Sequence, residues 1–101
     1  MSAEYHSFRD FYPFYLSEHS DRACRRMHFI GSTLGLLCVA AAIGARSGWL
    51  VLLGFALGYG FAFAGHYLFE KNRPATFRNP FYSFVGDCAM YRDILLGRIP
   101  F

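Results

Sequence analysis

Residues 29–69 read FIGSTLGLLCVAAAIGARSGWLVLLGFALGYGFAFAGHYLF, and Arg46 is the one charged side chain among them. A helix that crosses a bilayer needs roughly 20 mostly apolar residues. The run after Arg46 meets that length by itself, and the run before it does so once Met27 and His28 are counted. Only Arg46, Ser47 and Gly48 separate the two, so the chain has room for a tight turn and nothing more. The expected fold is all-α: an integral membrane helical hairpin with spans over about 27–45 and about 47–70.

Composition supports this reading. The 101 residues suit one domain, residues 1–101, and are 54% hydrophobic, 20% aromatic and only 17% charged. That charged coat is too thin for a water-soluble domain of this size. The net charge of +3 is small. The basic residues flank the apolar runs and are interleaved with aromatics, a pattern that suits anionic headgroups better than nucleic acid. Arg22, Arg25 and Arg26 precede the first span, and Lys71, Arg73 and Arg78 follow the second. Basic residues mark the cytoplasmic side, so both termini are expected there. Cys24, Cys38 and Cys88 form no CxxC pair and read as reduced, packed thiols. The polar, uncharged-to-acidic N-terminus lacks the basic region of a signal peptide.

The flanks carry their own pattern. Residues 5–19, YHSFRDFYPFYLSEH, are too polar to span and too aromatic to stay in water, which predicts an interfacial helix bent or begun near Pro13. Ser20 and Asp21 suit the cap of the helix that follows. Pro80 suits the first turn of a last interfacial helix over about 80–97. Gly31 with Gly35, and Gly54 with Gly58, place small residues one turn apart, where helix backbones approach closely.

Histidines carry the chemistry. His28 and His66 stand equally far from Ser47 on opposite arms of the hairpin, so an antiparallel pair brings them to one level. His19 precedes the first span and can fold back to that level, whereas His6 reads as a surface anchor. Glu70 follows His66 at i+4, the spacing at which a histidine and a carboxylate share a ligand on an α-helix. Neutral imidazoles suit iron, zinc and copper. An ionisable residue within an apolar span, such as His66, is a functional candidate by default. No nucleophile triad or phosphate loop competes with this cluster.

Two stretches resemble a known family. Residues 15–19 (YLSEH) with 28–32 (HFIGS), and residues 65–75 (GHYLFEKNRPA), are similar to the signatures of the fungal endoplasmic-reticulum 2-hydroxy fatty acid dioxygenase family. Asn79-Pro80 and Gly86-Asp87 fit its short bacterial branch, and the likeness covers about residues 8–98. Ser20, Asp21 and Cys24 stand where family members often carry asparagines and a proline, and His6 lies outside the match. The resemblance implies an Fe(II)-dependent, non-haem membrane oxygenase that uses O2 to shorten a 2-hydroxy fatty acid by one carbon. It implies His19, His28 and His66 as metal ligands, with Zn or another divalent ion as the alternative occupant. Glu70, Arg73 and Asp87 become the catalytic candidates, Glu70 or Asp87 at the metal shell and Arg73 or Arg26 toward the substrate carboxylate. The implied partners are a fatty acid or other lipid, O2 and the membrane. Two spans give little room to enclose a site, which makes a homodimer a candidate assembly. The implied location is the bacterial inner membrane, or the endoplasmic reticulum in a eukaryote. The alternative function is a non-enzymatic membrane module that binds lipid or a partner protein, with a structural metal or none.

Overall fold

A computed structural model describes residues 5–101, and no strand occurs among the described residues. Four α-helices follow in order: α1 (Phe8–Ser17), α2 (Arg22–Ala45), α3 (Trp49–Gly65) and α4 (Pro80–Leu95). A π-helical turn, His66–Glu70, extends α3, and a short 3-10 turn, Ala75–Phe77, precedes α4.

The hairpin forms as its residues dictate. Asp21 caps α2 by accepting from the Cys24 N–H at 3.1 Å. Arg46 ends α2 in the left-handed region (φ 52°), and the Ser47 N–H returns to the Ala42 carbonyl at 3.0 Å. The chain then reverses at once into α3. Two helices are therefore long and apolar enough to cross a membrane, Arg22–Ala45 and the continuous stretch Trp49–Glu70. Their apolar windows are only 17% and 22% buried within the protein. Core helices of a soluble bundle would be mostly covered; here Leu37, Ile43, Trp49 and Leu52 face outward.

Contact between α2 and α3 is made by backbone. A Cβ built on Gly35 would lie 2.9 Å from the Gly54 carbonyl oxygen, and one built on Gly54 would lie 2.9 Å from the Gly35 carbonyl oxygen. Gly58 differs, because a Cβ there meets nothing closer than 3.8 Å. The expected small-residue pairing thus holds for Gly31, Gly35 and Gly54, while Gly58 leaves open space.

The two flanking helices pack on each other. Ser7 caps α1, which begins at Phe8 and runs through Pro13, so Pro13 neither starts nor divides it. Phe11 and Tyr15 of α1 are buried with Met90 and Ile94 of α4, and Tyr5, Phe8, Tyr12 and Tyr82 close round them. The Tyr12 hydroxyl donates to Asp93 at 2.8 Å, and Arg92 and Arg98 neutralise the same carboxylate. Gly86 admits the Tyr15 ring, since a Cβ there would lie 2.7 Å from it. The α1–α4 pair covers the end of the hairpin opposite the turn.

Gly54→Ala is expected to destabilise by about 1–3 kcal/mol, because a carbonyl oxygen rather than a flexible side chain blocks the methyl group. Gly58→Ala should be neutral or stabilising, since helix propensity improves where space exists. Thermal unfolding of both variants in detergent micelles checks the contrast; equal losses would refute it.

Candidate metal centre

His19, His28 and His66 are all buried and meet at the covered end of the hairpin. One ligand nitrogen from each lies within 4.8 Å of the others. Each arrives differently. His19 follows the C-terminus of α1, His28 sits in the second turn of α2, and His66 opens the π turn.

Their hydrogen bonds decide which nitrogen is free. His19 Nδ1 lies 2.7 Å from the Tyr15 carbonyl oxygen, and His28 Nδ1 lies 3.0 Å from the Cys24 carbonyl oxygen. A carbonyl only accepts, so both Nδ1 atoms carry the proton. His66 Nδ1 lies 2.7 Å from Asn72 Oδ1. The Asn72 amide is oriented in turn, because its Nδ2 donates to the Glu18 carbonyl at 3.1 Å. His66 Nδ1 is therefore the donor as well. In a neutral ring the other nitrogen then holds the lone pair. All three Nε2 lone pairs are left for one another's company.

Two of them are already in contact. His19 Nε2 and His28 Nε2 are 3.1 Å apart, and with Nδ1 protonated on both rings neither neutral Nε2 carries a hydrogen to share. Facing lone pairs repel unless a cation stands between them. A metal–nitrogen bond of about 2.1 Å places neighbouring ligand nitrogens about 3–3.4 Å apart, the spacing of this pair. Burial and the neighbouring His28 push the His19 imidazole down to about 2, so it stays neutral and available as a ligand. The donor set suits a divalent transition metal of the iron-to-zinc series.

Tyr15 and Asp87 form the next layer. The Tyr15 ring stacks on His19 with centroids 4.0 Å apart, and its hydroxyl donates to Asp87 Oδ1. Burial holds the Tyr15 phenol well above its usual value, so it remains the donor. Burial also pushes the Asp87 carboxyl up to about 7, against the hydrogen bond it receives from Tyr15.

Glu70 and Arg73 are placed elsewhere. The expected i+4 partnership of His66 and Glu70 assumes α-helical spacing, but the π turn widens the helix and rotates Glu70 away. Its two oxygens accept from the Ser20 hydroxyl and the Asp21 N–H, tying the end of α3 to the start of α2. Arg73 is exposed and lies over the Phe77 ring at 5.0 Å. Arg26 lies over Phe101, also at 5.0 Å. His6 stays exposed, away from the cluster. Tyr15, Asn72 and the Cys24 carbonyl are the orienting groups that residue patterns alone did not assign. Asn72 lay inside the 65–75 signature, which was its one signal.

Beside the cluster runs an apolar cavity of about 370 Å³ between α2, α3 and α4. Leu36, Val39, Phe55 and Phe84 line it, as do Gly35, Gly54 and Gly58. A second, water-sized void lies among the three imidazoles, and His28, Tyr59, Ala62 and Asp87 border both spaces. Those four residues, the throat, stand between the apolar chamber and the nitrogen cluster.

Asn72→Ala should weaken metal binding about 10–100-fold by freeing the His66 ring, read by competitive titration against a chelator; unchanged affinity would show that Asn72 does not orient the ring. Asp87 offers a pH test in the metal-free protein. Its folded value of about 7 exceeds its ordinary 3.8, so the stability it supplies is full below about pH 4 and lost as pH rises through 7. Asp87→Asn should therefore be roughly 2–4 kcal/mol more stable than wild type above pH 7, with the gap closing by pH 4. A gap independent of pH in chemical-denaturation curves would refute the raised value.

A family profile described as 2-hydroxy-palmitic acid dioxygenase Mpo1-like matches residues 5–99. No curated protein and no solved structure matches the chain. The profile takes in every helix and all three clustered histidines, and the chain belongs to the 2-hydroxy-palmitic acid dioxygenase Mpo1-like family.

Proposed function

We propose that this protein is an Fe(II)-dependent membrane oxygenase that shortens 2-hydroxy fatty acids by one carbon with O2. The observation that carries the reading is the convergence of three Nε2 lone pairs at the throat of an apolar cavity. The family description names a 2-hydroxy-palmitic acid dioxygenase, which supplies the substrate class and the oxidant. The simplest balance breaks the C1–C2 bond: C2 becomes the new carboxyl, C1 leaves as carbon dioxide, and one water forms.

His19, His28 and His66 would hold the metal, which supplies the redox chemistry that O2 requires. The chain's own residues do the rest. The acyl chain lies in the apolar cavity, where α2 and α3 expose little polar surface. The polar end of the acid then reaches the throat. Asp87, with a value near neutrality and one oxygen held by Tyr15, takes the proton of the 2-hydroxyl on its other oxygen. Arg73, exposed over Phe77, draws the anionic acid toward the site. Glu70 acts through position, holding the start of α2 and thereby His28. One chain supplies all three histidines, so the site does not require a second copy.

In this reading the hairpin is inserted in a bilayer, with both termini and the basic flanks on the cytoplasmic side. The outward-facing leucines and isoleucines of α2 and α3 support insertion. The histidines then sit at headgroup depth, where an amphiphile's polar end resides.

Anaerobic purification should yield about one iron per chain, and 2-hydroxypalmitate with O2 should yield pentadecanoic acid. Neither iron nor an odd-chain product would end the proposal. His66→Ala should abolish turnover while the helical spectrum persists; a loss of fold instead would favour a structural metal. Gly58 lines the cavity and has room for a Cβ, so Gly58→Leu should narrow the cavity, keep iron and lower kcat/KM about tenfold or more.

A further inference from the structure

The void among the three imidazoles has about 10 Å³ of space, close to what one water-sized ligand needs. Ser83, on α4, is part of its wall. The side chain is 1% exposed, and its hydroxyl has no hydrogen-bond partner among the described residues. A buried hydroxyl left without a partner is unfavourable, because it gives up its bonds to water and gains none.

A helical serine has a ready remedy, because its hydroxyl can turn back to the carbonyl four residues earlier. That carbonyl, Asn79 O, is present and accepts the Ser83 backbone N–H at 2.8 Å. Ser83 Oγ does not use it. Its position on the void's wall offers another partner. Most of the void's other polar groups are committed: Tyr15 OH to Asp87, and each imidazole Nδ1 to an acceptor. Thr76 borders the void but is partly exposed and can meet water. The second oxygen of Asp87 and the Tyr59 side chain also border the void. Among the side chains of its wall, Ser83 supplies the one fully buried oxygen without a hydrogen-bond partner, beside the Nε2 lone pairs.

We infer that Ser83 holds the small oxygen ligand that shares the metal with His19, His28 and His66, a water molecule in the absence of substrate. The inference rests on the metal-binding reading above and adds a residue to it. A hydroxyl can accept from that water or donate to it as the ligand changes. Ser83 touches the ligand and not the ion, so it acts on the open position and leaves the three nitrogen bonds in place.

The test uses the full chain, purified metal-free in detergent micelles and titrated with Co(II), with absorption and thermal unfolding as readouts. Ser83→Ala should bind Co(II) about tenfold more weakly, as loss of an outer partner does elsewhere, and its visible bands should shift. The metal-free variant should melt at or above the wild-type temperature, because an unpartnered hydroxyl has been removed. Cobalt bound with wild-type affinity and an unaltered spectrum would overturn the inference. So would a lower metal-free melting temperature, which would mark the hydroxyl as a structural group. Failure of the wild type to bind Co(II) is a separate result that overturns the metal reading and this inference together.

Discussion

An imidazole has one lone pair to offer, and the nitrogen that meets a carbonyl oxygen must carry the proton instead. That constraint acts three times here. The Tyr15 carbonyl, the Cys24 carbonyl and the Asn72 side chain each take an Nδ1–H, so each ring turns its Nε2 toward the same point. Two of these acceptors are backbone atoms of helices, which lends the rings the rigidity of α1 and α2. The third is an amide pinned by the Glu18 carbonyl. The cluster is thus oriented before any ion arrives. An arrangement that sets lone pairs 3.1 Å apart is unfavourable alone and becomes favourable with a cation.

The hairpin could not build this by itself. Two helices meet along a line, and a histidine at the end of each would face solvent. Enclosure comes from α1 and α4, whose aromatic side chains cover that end. Tyr15 joins the two tasks. Its ring fills the place of a missing Cβ at Gly86, stacks on His19, and sends its hydroxyl to Asp87. A single side chain therefore links the packing of the cover to the orientation of a ligand and to the state of the throat carboxylate.

Much of this was legible in residue order. The uncharged runs and the three-residue turn gave the hairpin, and equal distance from Ser47 placed His28 and His66 at one depth. His19 joined them because the segment after it is short. What order could not show depended on departures from regular geometry. The π turn at His66–Glu70 moved Glu70 to the α2 N-terminus, although α-helical spacing aimed it at the histidine. Pro13 sits inside α1, because a proline's missing N–H is tolerated where the neighbouring Arg9 carbonyl lies on an exposed face. The union of α1 with α4 joins residues some eighty positions apart, and no local period encodes it.

The position of the cluster suits the proposed chemistry. An acid with a long apolar chain has two solvents to satisfy, and in the proposed membrane placement the end of the hairpin is where both are within reach. Gly35, Gly54 and Gly58 all line the cavity, but only at Gly35 and Gly54 would an added Cβ collide with the facing backbone, at 2.9 Å. Close backbone approach and the cavity wall are thus served by the same stripe of glycines. At the throat, burial raises the affinity of Asp87 for a proton and lowers that of His19. The same loss of solvent produces opposite results because one group is charged when it loses a proton and the other when it gains one. The outcome is a neutral imidazole close to a carboxyl that exchanges its proton near neutral pH, the pairing the proposed reaction calls on.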